Sequence, residues 1–135
     1  MSRSVAREVA MKLIYSRLVG GDDTPEAIIE KSEVSEEMSG TDIEFARKLV
    51  DGVTASAEEL DRVISEHAIG WSLDRISRVD LSILRIALYE ILHMDDVPVG
   101  ATINEAVKLA KQYGGDHSYS FINGILGSLA KKKKD

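Results

Sequence analysis

The chain has 135 residues, 44% hydrophobic and 30% charged, with a formal net charge of -6 and no cysteine. That length fits one domain or two small halves sharing a core, and the composition supplies a core without being membrane material. It excludes a disulfide framework, a thiolate nucleophile and a Cys-ligated metal, and no apolar run approaches the roughly 20 residues that a bilayer span needs. The start, MSRSVAREVAMKLIY, is basic, but Glu8 and Lys12 interrupt its apolar positions and no small-residue cleavage site follows. It does not read as a signal peptide, and the expected location is the cytoplasm.

From Arg3 to Val19, Ala6, Val9, Ala10, Leu13, Ile14 and Leu18 recur at three- and four-residue spacing, one face of a helix. Gly20-Gly21 ends it. Thr24-Pro25 opens a short helix, with Pro at the first position, where its missing N–H costs nothing. Residues 31–40 are polar and acidic and read as a loop. Thr41 and Glu44 have the spacing of a capping box, and the helix they start buries Ile43, Phe45, Ala46, Leu49, Val50 and Val53. Ser56 and Glu59 repeat the spacing, so a break is expected near Thr54. The next helix carries Leu60, Val63, Ile64 and Ala68 and stops at Gly70.

The second half is more apolar. Trp71 to Arg78 reads as a short turn or helix. Val79 to Met94 is apolar on most sides, as in a central helix wrapped by others. Thr102 and Glu105 have the spacing of a third capping box. Gly114-Gly115 supplies a C-cap and turn, and a last helix from about Ser118 buries Phe121, Ile122, Ile125, Leu126 and Leu129. Gly124 and Gly127 inside it suggest close helix–helix approach. No run alternates as a half-buried strand does. The expected fold is all-α, of about seven helices.

The charge is unevenly distributed. Residues 1–19 hold four basic side chains against one acid, while residues 20–66 hold four against fourteen. Residues 67–135 hold nine against eight, and four of the nine are Lys131 to Lys134. Phosphates respond to the local field within a Debye length of about 8 Å rather than to the whole-chain sum. The amino-terminal helix and the carboxyl end are therefore the candidate RNA-facing surfaces, although charge alone also fits a solvated amphipathic helix. His67, His93 and His117 are far apart, and none has a second ligand at metal spacing. Gly114-Gly115 and Gly124-x-x-Gly127 lack the strand and GK[ST] of a phosphate loop. Neither a catalytic triad nor a cofactor loop is present in the pattern. Tyr119 and Phe121 stand beside His117 at the start of the last helix, a grouping that could stack unpaired bases or simply be core. Tyr15 lies off the main apolar stripe of the first helix, as a half-buried tyrosine or a partner contact.

Three segments in series carry more information: Leu84 to Glu90 (LRIALYE), Thr102 to Tyr113 (TINEAVKLAKQY) and Phe121 to Gly127 (FINGILG). With Ala6-Arg7-Glu8, Leu13-Ile14-Tyr15, Phe45, Gly52, Leu60-Asp61, Trp71, Arg75, Val79-Asp80 and Val97-Pro98, the chain resembles the NusB family of bacterial transcription antitermination factors from about Arg7 to Ala130. The resemblance implies a single domain over 1–135, built as two packed helical bundles. The amino-terminal half covers about 1–70, the carboxyl-terminal half about 71–131, and a basic tail 131–135. It implies no enzyme activity, cofactor or metal. It implies binding to boxA RNA of nascent, mainly ribosomal, transcripts, together with the small-subunit ribosomal protein NusE. Docking onto the RNA polymerase antitermination complex with other Nus factors follows.

Carried over by position, Arg3 and Arg7 would contact phosphates, and His117, Ser118, Tyr119, Ser120 and Phe121 would form the other side of the RNA surface. Tyr15 and Asp80 would face the ribosomal protein. The chain departs from the family where Ser4 and Val5 dilute an arginine-rich start and where Asp80 stands for the glutamate of some members. Weak RNA binding alone and stronger binding with the partner are expected. The resemblance also allows a homodimer. An RNA-binding extension of a ribosomal RNA methyltransferase and a protein-interaction scaffold remain as alternatives.

Overall fold

The computed structural model describes residues 2–24, 26–28 and 39–134. Helix α1 spans Ser2–Leu18 and buries the expected stripe of Ala6, Val9, Ala10, Leu13 and Ile14, with Met11 beside it. It ends as the backbone turns left-handed at Gly20 (φ 88°), a conformation that carries no Cβ penalty in glycine. Residues 26–28 are helical again, and the Thr24 hydroxyl caps them by accepting the Ala27 N–H at 3.1 Å. Pro25 and most of the expected acidic loop lie outside the described residues.

Helix α2 (Gly40–Ala55) begins with a capping box, but its partners are Ser39 and Asp42 rather than Thr41 and Glu44. The helix starts one residue early, and the Thr41 hydroxyl lies 2.8 Å from that of Ser39. Helix α3 (Ala57–His67) follows after the single residue Ser56, close to the expected break, without the second expected box. Ser56 donates its N–H to the Gly52 carbonyl as the C-cap of α2, with φ -107° and ψ 12°. An N-cap needs an extended backbone to turn its hydroxyl back on the helix, so Ser56 cannot do both. A 3-10 turn over Leu73–Arg75 leads to α4 (Arg78–His93), whose N-cap Ser77 accepts the Asp80 N–H. Helix α5 (Val99–Tyr113) starts at Pro98, not at Thr102. Helix α6 runs over Ser118–Lys134.

Helix α4 packs against each of α1, α2, α3, α5 and α6. Leu84 and Leu88 are fully buried in it, each burial contributing roughly 1.5–3 kcal/mol. Helices α1 and α2 pair with each other and with α4, and α5 and α6 pair on it as well. The apolar side chains form one continuous cluster from Ala6 to Leu129. Among the described residues the architecture is all-α, as expected. One close approach is at Gly52, where a Cβ would overlap the Tyr89 ring. Gly124 and Gly127, expected at a tight contact, face open space instead. No described helix is long and apolar enough to cross a membrane.

Candidate nucleic-acid interface

The start of α6, the turn before it and the first turn of α4 enclose an open cleft of about 620 Å³. Its walls include Trp71, Arg75, His117, Ser120 and Phe121, and Asp80 and Ser118 also line it. The Trp71 and Phe121 rings meet edge to face at 5.8 Å, and Trp71 remains 51% exposed. Ser118 is buried, accepting the Gly115 N–H at 2.9 Å, so it shapes the turn and presents little to solvent. Phe121 is half-buried, whereas His117, Tyr119 and Ser120 are exposed. The five residues expected on the carboxyl-terminal surface thus fall together, but only three point freely outward.

Asp80 lies in the same cleft. It is 8% exposed, and its Oδ1 is buried without a hydrogen-bond partner. Burial pushes its carboxyl above the usual carboxylate range, and the Ser118 and Ser77 hydroxyls oppose that shift only in part. A buried acceptor left unmatched costs on the order of 1–3 kcal/mol. A ligand that brings a donor into the cleft recovers that cost.

The amino-terminal residues divide differently. Arg7, expected at phosphates, is 6% exposed and belongs to the interior. Its Nε donates to Glu90 Oε2 at 2.8 Å and its Nη2 to Oε1 at 2.6 Å. Thr102 donates to the same Oε1 at 3.3 Å, which is why its hydroxyl does not cap α5. Arg7 is in the second turn of α1 and lies on the face that carries Ala6 and Ala10 against α4, so its guanidinium must find a buried anion. Glu90 was the missed residue. An acid well inside a helix apolar on most sides signals a paired interior charge. Arg3, one turn earlier, is half-exposed, with its guanidinium 4.4 Å from the Phe45 ring centre and 3.9 Å from Asp96. Asp96 follows the carboxyl end of α4 and Asp80 opens its first turn. Arg3 and the α6 start therefore lie at opposite ends of a 16-residue helix, roughly 24 Å at 1.5 Å per residue.

Tyr15 is 38% exposed and lines a second depression with Lys12, Ser16, Val19 and Asp23. Burial works against the Lys12 charge, but the Tyr113 hydroxyl and the Glu8 carboxylate outweigh it and hold its pKa above the usual value. His67 sits on the Val63 carbonyl and His93 on Glu59. Among the described residues no three potential ligands gather to hold a metal.

An all-helical scaffold with an open aromatic and polar cleft at a helix start has the character of a binding module. The family model described as NusB family matches residues 4–131. The transcription antitermination protein NusB of Acetivibrio thermocellus is 47% identical over 98% of this chain and 91% of its own length. That of Clostridium novyi is 39% identical over 97% and 99%. Among solved structures, Thermotoga maritima NusB superposes with a TM-score of 0.83 at 35% identity, over 96% of this chain and 91% of its own. A crystal structure of NusB and NusE in complex with double-stranded RNA contains a chain with a TM-score of 0.81 at 28% identity, covering 97% of both. The chain belongs to the NusB family. It is a transcription antitermination factor and not an enzyme.

Proposed function

We propose that this protein binds boxA RNA of nascent ribosomal transcripts jointly with the ribosomal protein NusE, in the cytoplasm, and carries that pair into the RNA polymerase antitermination complex with other Nus factors. The observation that carries the reading is the cleft at the α6 start, in a fold that matches a NusB chain solved with NusE and RNA. Exposed His117 and Ser120, with Arg75 and Trp71 in the same cleft and Tyr119 just outside it, give RNA an aromatic surface with one arginine, although Asp80 and Asp116 also line the cleft. Arg3 supplies a second, outlying phosphate contact. Tyr15 and Asp80 serve the protein partner: Asp80 Oδ1 accepts a donor from NusE, and Tyr15 offers a half-open ring. With Arg7 withdrawn into the core, few cations remain at the amino terminus, so RNA affinity depends on the partner. A homodimer that covers the α6 start would compete with RNA.

Fluorescence anisotropy of a short boxA RNA against a shuffled control, with and without NusE, at low and physiological salt, tests this. Selective binding strengthened by NusE is expected, and equal affinity for both RNAs under every condition would refute it.

A further inference from the structure

The cations expected to hold phosphates do not serve the aromatic corner of the molecule. Arg7 is buried on Glu90, and Arg3 lies about the length of α4 away, beside Asp96. A lysine of α5 lies beside Tyr119. Lys111, exposed in the last turn of α5, places its ammonium 5.1 Å from the centre of the Tyr119 ring. Among the described residues it forms no salt bridge. Tyr119 remains 46% exposed, leaving ring surface for a second occupant. Lys108 lies one turn back on the same face of α5, 72% exposed, with Glu105 at 3.5 Å.

We infer that Lys111 and Tyr119 together form a nucleotide seat, in which an unpaired base stacks on the Tyr119 ring while Lys111, supported by Lys108, holds the adjoining phosphate. Stacking on a tyrosine beside a lysine is a general way to hold single-stranded RNA without reading its sequence. The arrangement favours RNA over a peptide here. A peptide's cations would meet Lys111 and Lys108 as like charges, whereas a nucleotide brings both a phosphate of opposite charge and a base that stacks on the exposed Tyr119 ring. The inference rests on the RNA-binding reading above and adds to it: the RNA path leaves the cleft past the last turn of α5, where Lys12 of α1 also lies, 5.3 Å from the centre of the Tyr113 ring.

The test uses the full chain with NusE and a boxA RNA carrying 2-aminopurine at single positions. One position should be quenched on binding. Quenching should survive in Tyr119→Phe and disappear in Tyr119→Leu, with affinity falling about tenfold. Lys111→Ala should weaken binding and reduce the salt slope by about 0.7, one phosphate on a single strand, and Lys111→Arg should restore it. Melting temperatures of these surface variants should match the parent. If the parent binds boxA selectively but Tyr119→Leu and Lys111→Ala bind as it does, the seat is wrong and the RNA reading stands. A Tyr119→Leu variant that loses NusE affinity in the absence of RNA would assign the ring to the protein partner and overturn the seat. No selective RNA binding by the parent would bring down both.

Discussion

Asp80 is the residue where stability and binding oppose one another. Its carboxyl is raised by burial, so the protonated form is favoured in the folded state. For an acid raised above its unfolded value, the stabilising contribution is complete below the unfolded pKa of about 3.9 and is lost as pH rises through the folded one. Asp80→Asn removes that loss. The variant should melt higher than the parent at pH 7 and show no such advantage at pH 3.5, as read by thermal denaturation. If NusE supplies a donor to Oδ1, the same variant should bind NusE more weakly, and parent affinity should fall on acidification as the carboxylate is neutralised. A variant that gains stability and keeps full NusE affinity would remove Asp80 from the interface. The sequence marked Asp80 as a position but could not show that its oxygen is buried unmatched, because that depends on Ser118 and the turn at Gly115 closing over it. Glu90 was legible in kind: an acid inside a central helix demands a partner. Which cation answers, 83 positions away, is a matter of tertiary packing.

The helices themselves were largely legible, because each buries one stripe and α4 buries nearly all round. Their starts were less so. Three expected capping boxes share the same spacing, yet α2 uses Ser39 and Asp42, Ser56 is committed to capping the helix before it, and Thr102 turns to Glu90. A hydroxyl goes to the strongest acceptor or donor within reach, and only the fold decides what is within reach. Glycines mislead in the same way. Gly124, exposed in mid-α6, costs helix propensity with no contact that requires it. Gly124→Ala should stabilise by about 0.5–1 kcal/mol. Gly52→Ala should destabilise by about 1–3 kcal/mol, since the methyl must displace the Tyr89 ring. Chemical denaturation of the two variants should move the midpoints in opposite directions. If Gly52→Ala is neutral, the ring is free to swing aside.

At the scale of the whole molecule, the Arg7–Glu90 pair ties α1 to α4, and Thr102 extends it to α5, with Phe45 of α2 5.5 Å from the guanidinium. Four helices from both halves of the chain thus meet at one buried charge pair. Such a pair rarely stabilises more than a well-packed apolar substitute, because desolvation offsets the attraction, but breaking it from one side strands a charge. Arg7→Met and Glu90→Leu should each cost about 3–5 kcal/mol, a drop of more than about 10 °C in melting temperature. The double variant should recover most of that loss, giving a strong coupling in a double-mutant cycle. The same variants separate structure from recognition. Expectation from sequence gave Arg7 a phosphate; burial on Glu90 gives it a place in the scaffold. If the burial persists in the complex, the refolded double variant, well below its melting temperature, should bind boxA RNA with NusE within about twofold of the parent and with an unchanged salt slope. A stable double variant whose slope falls by about one phosphate contact would mean that Arg7 leaves Glu90 when RNA binds, and the pair would then be a latch on the RNA surface rather than a fixed strut.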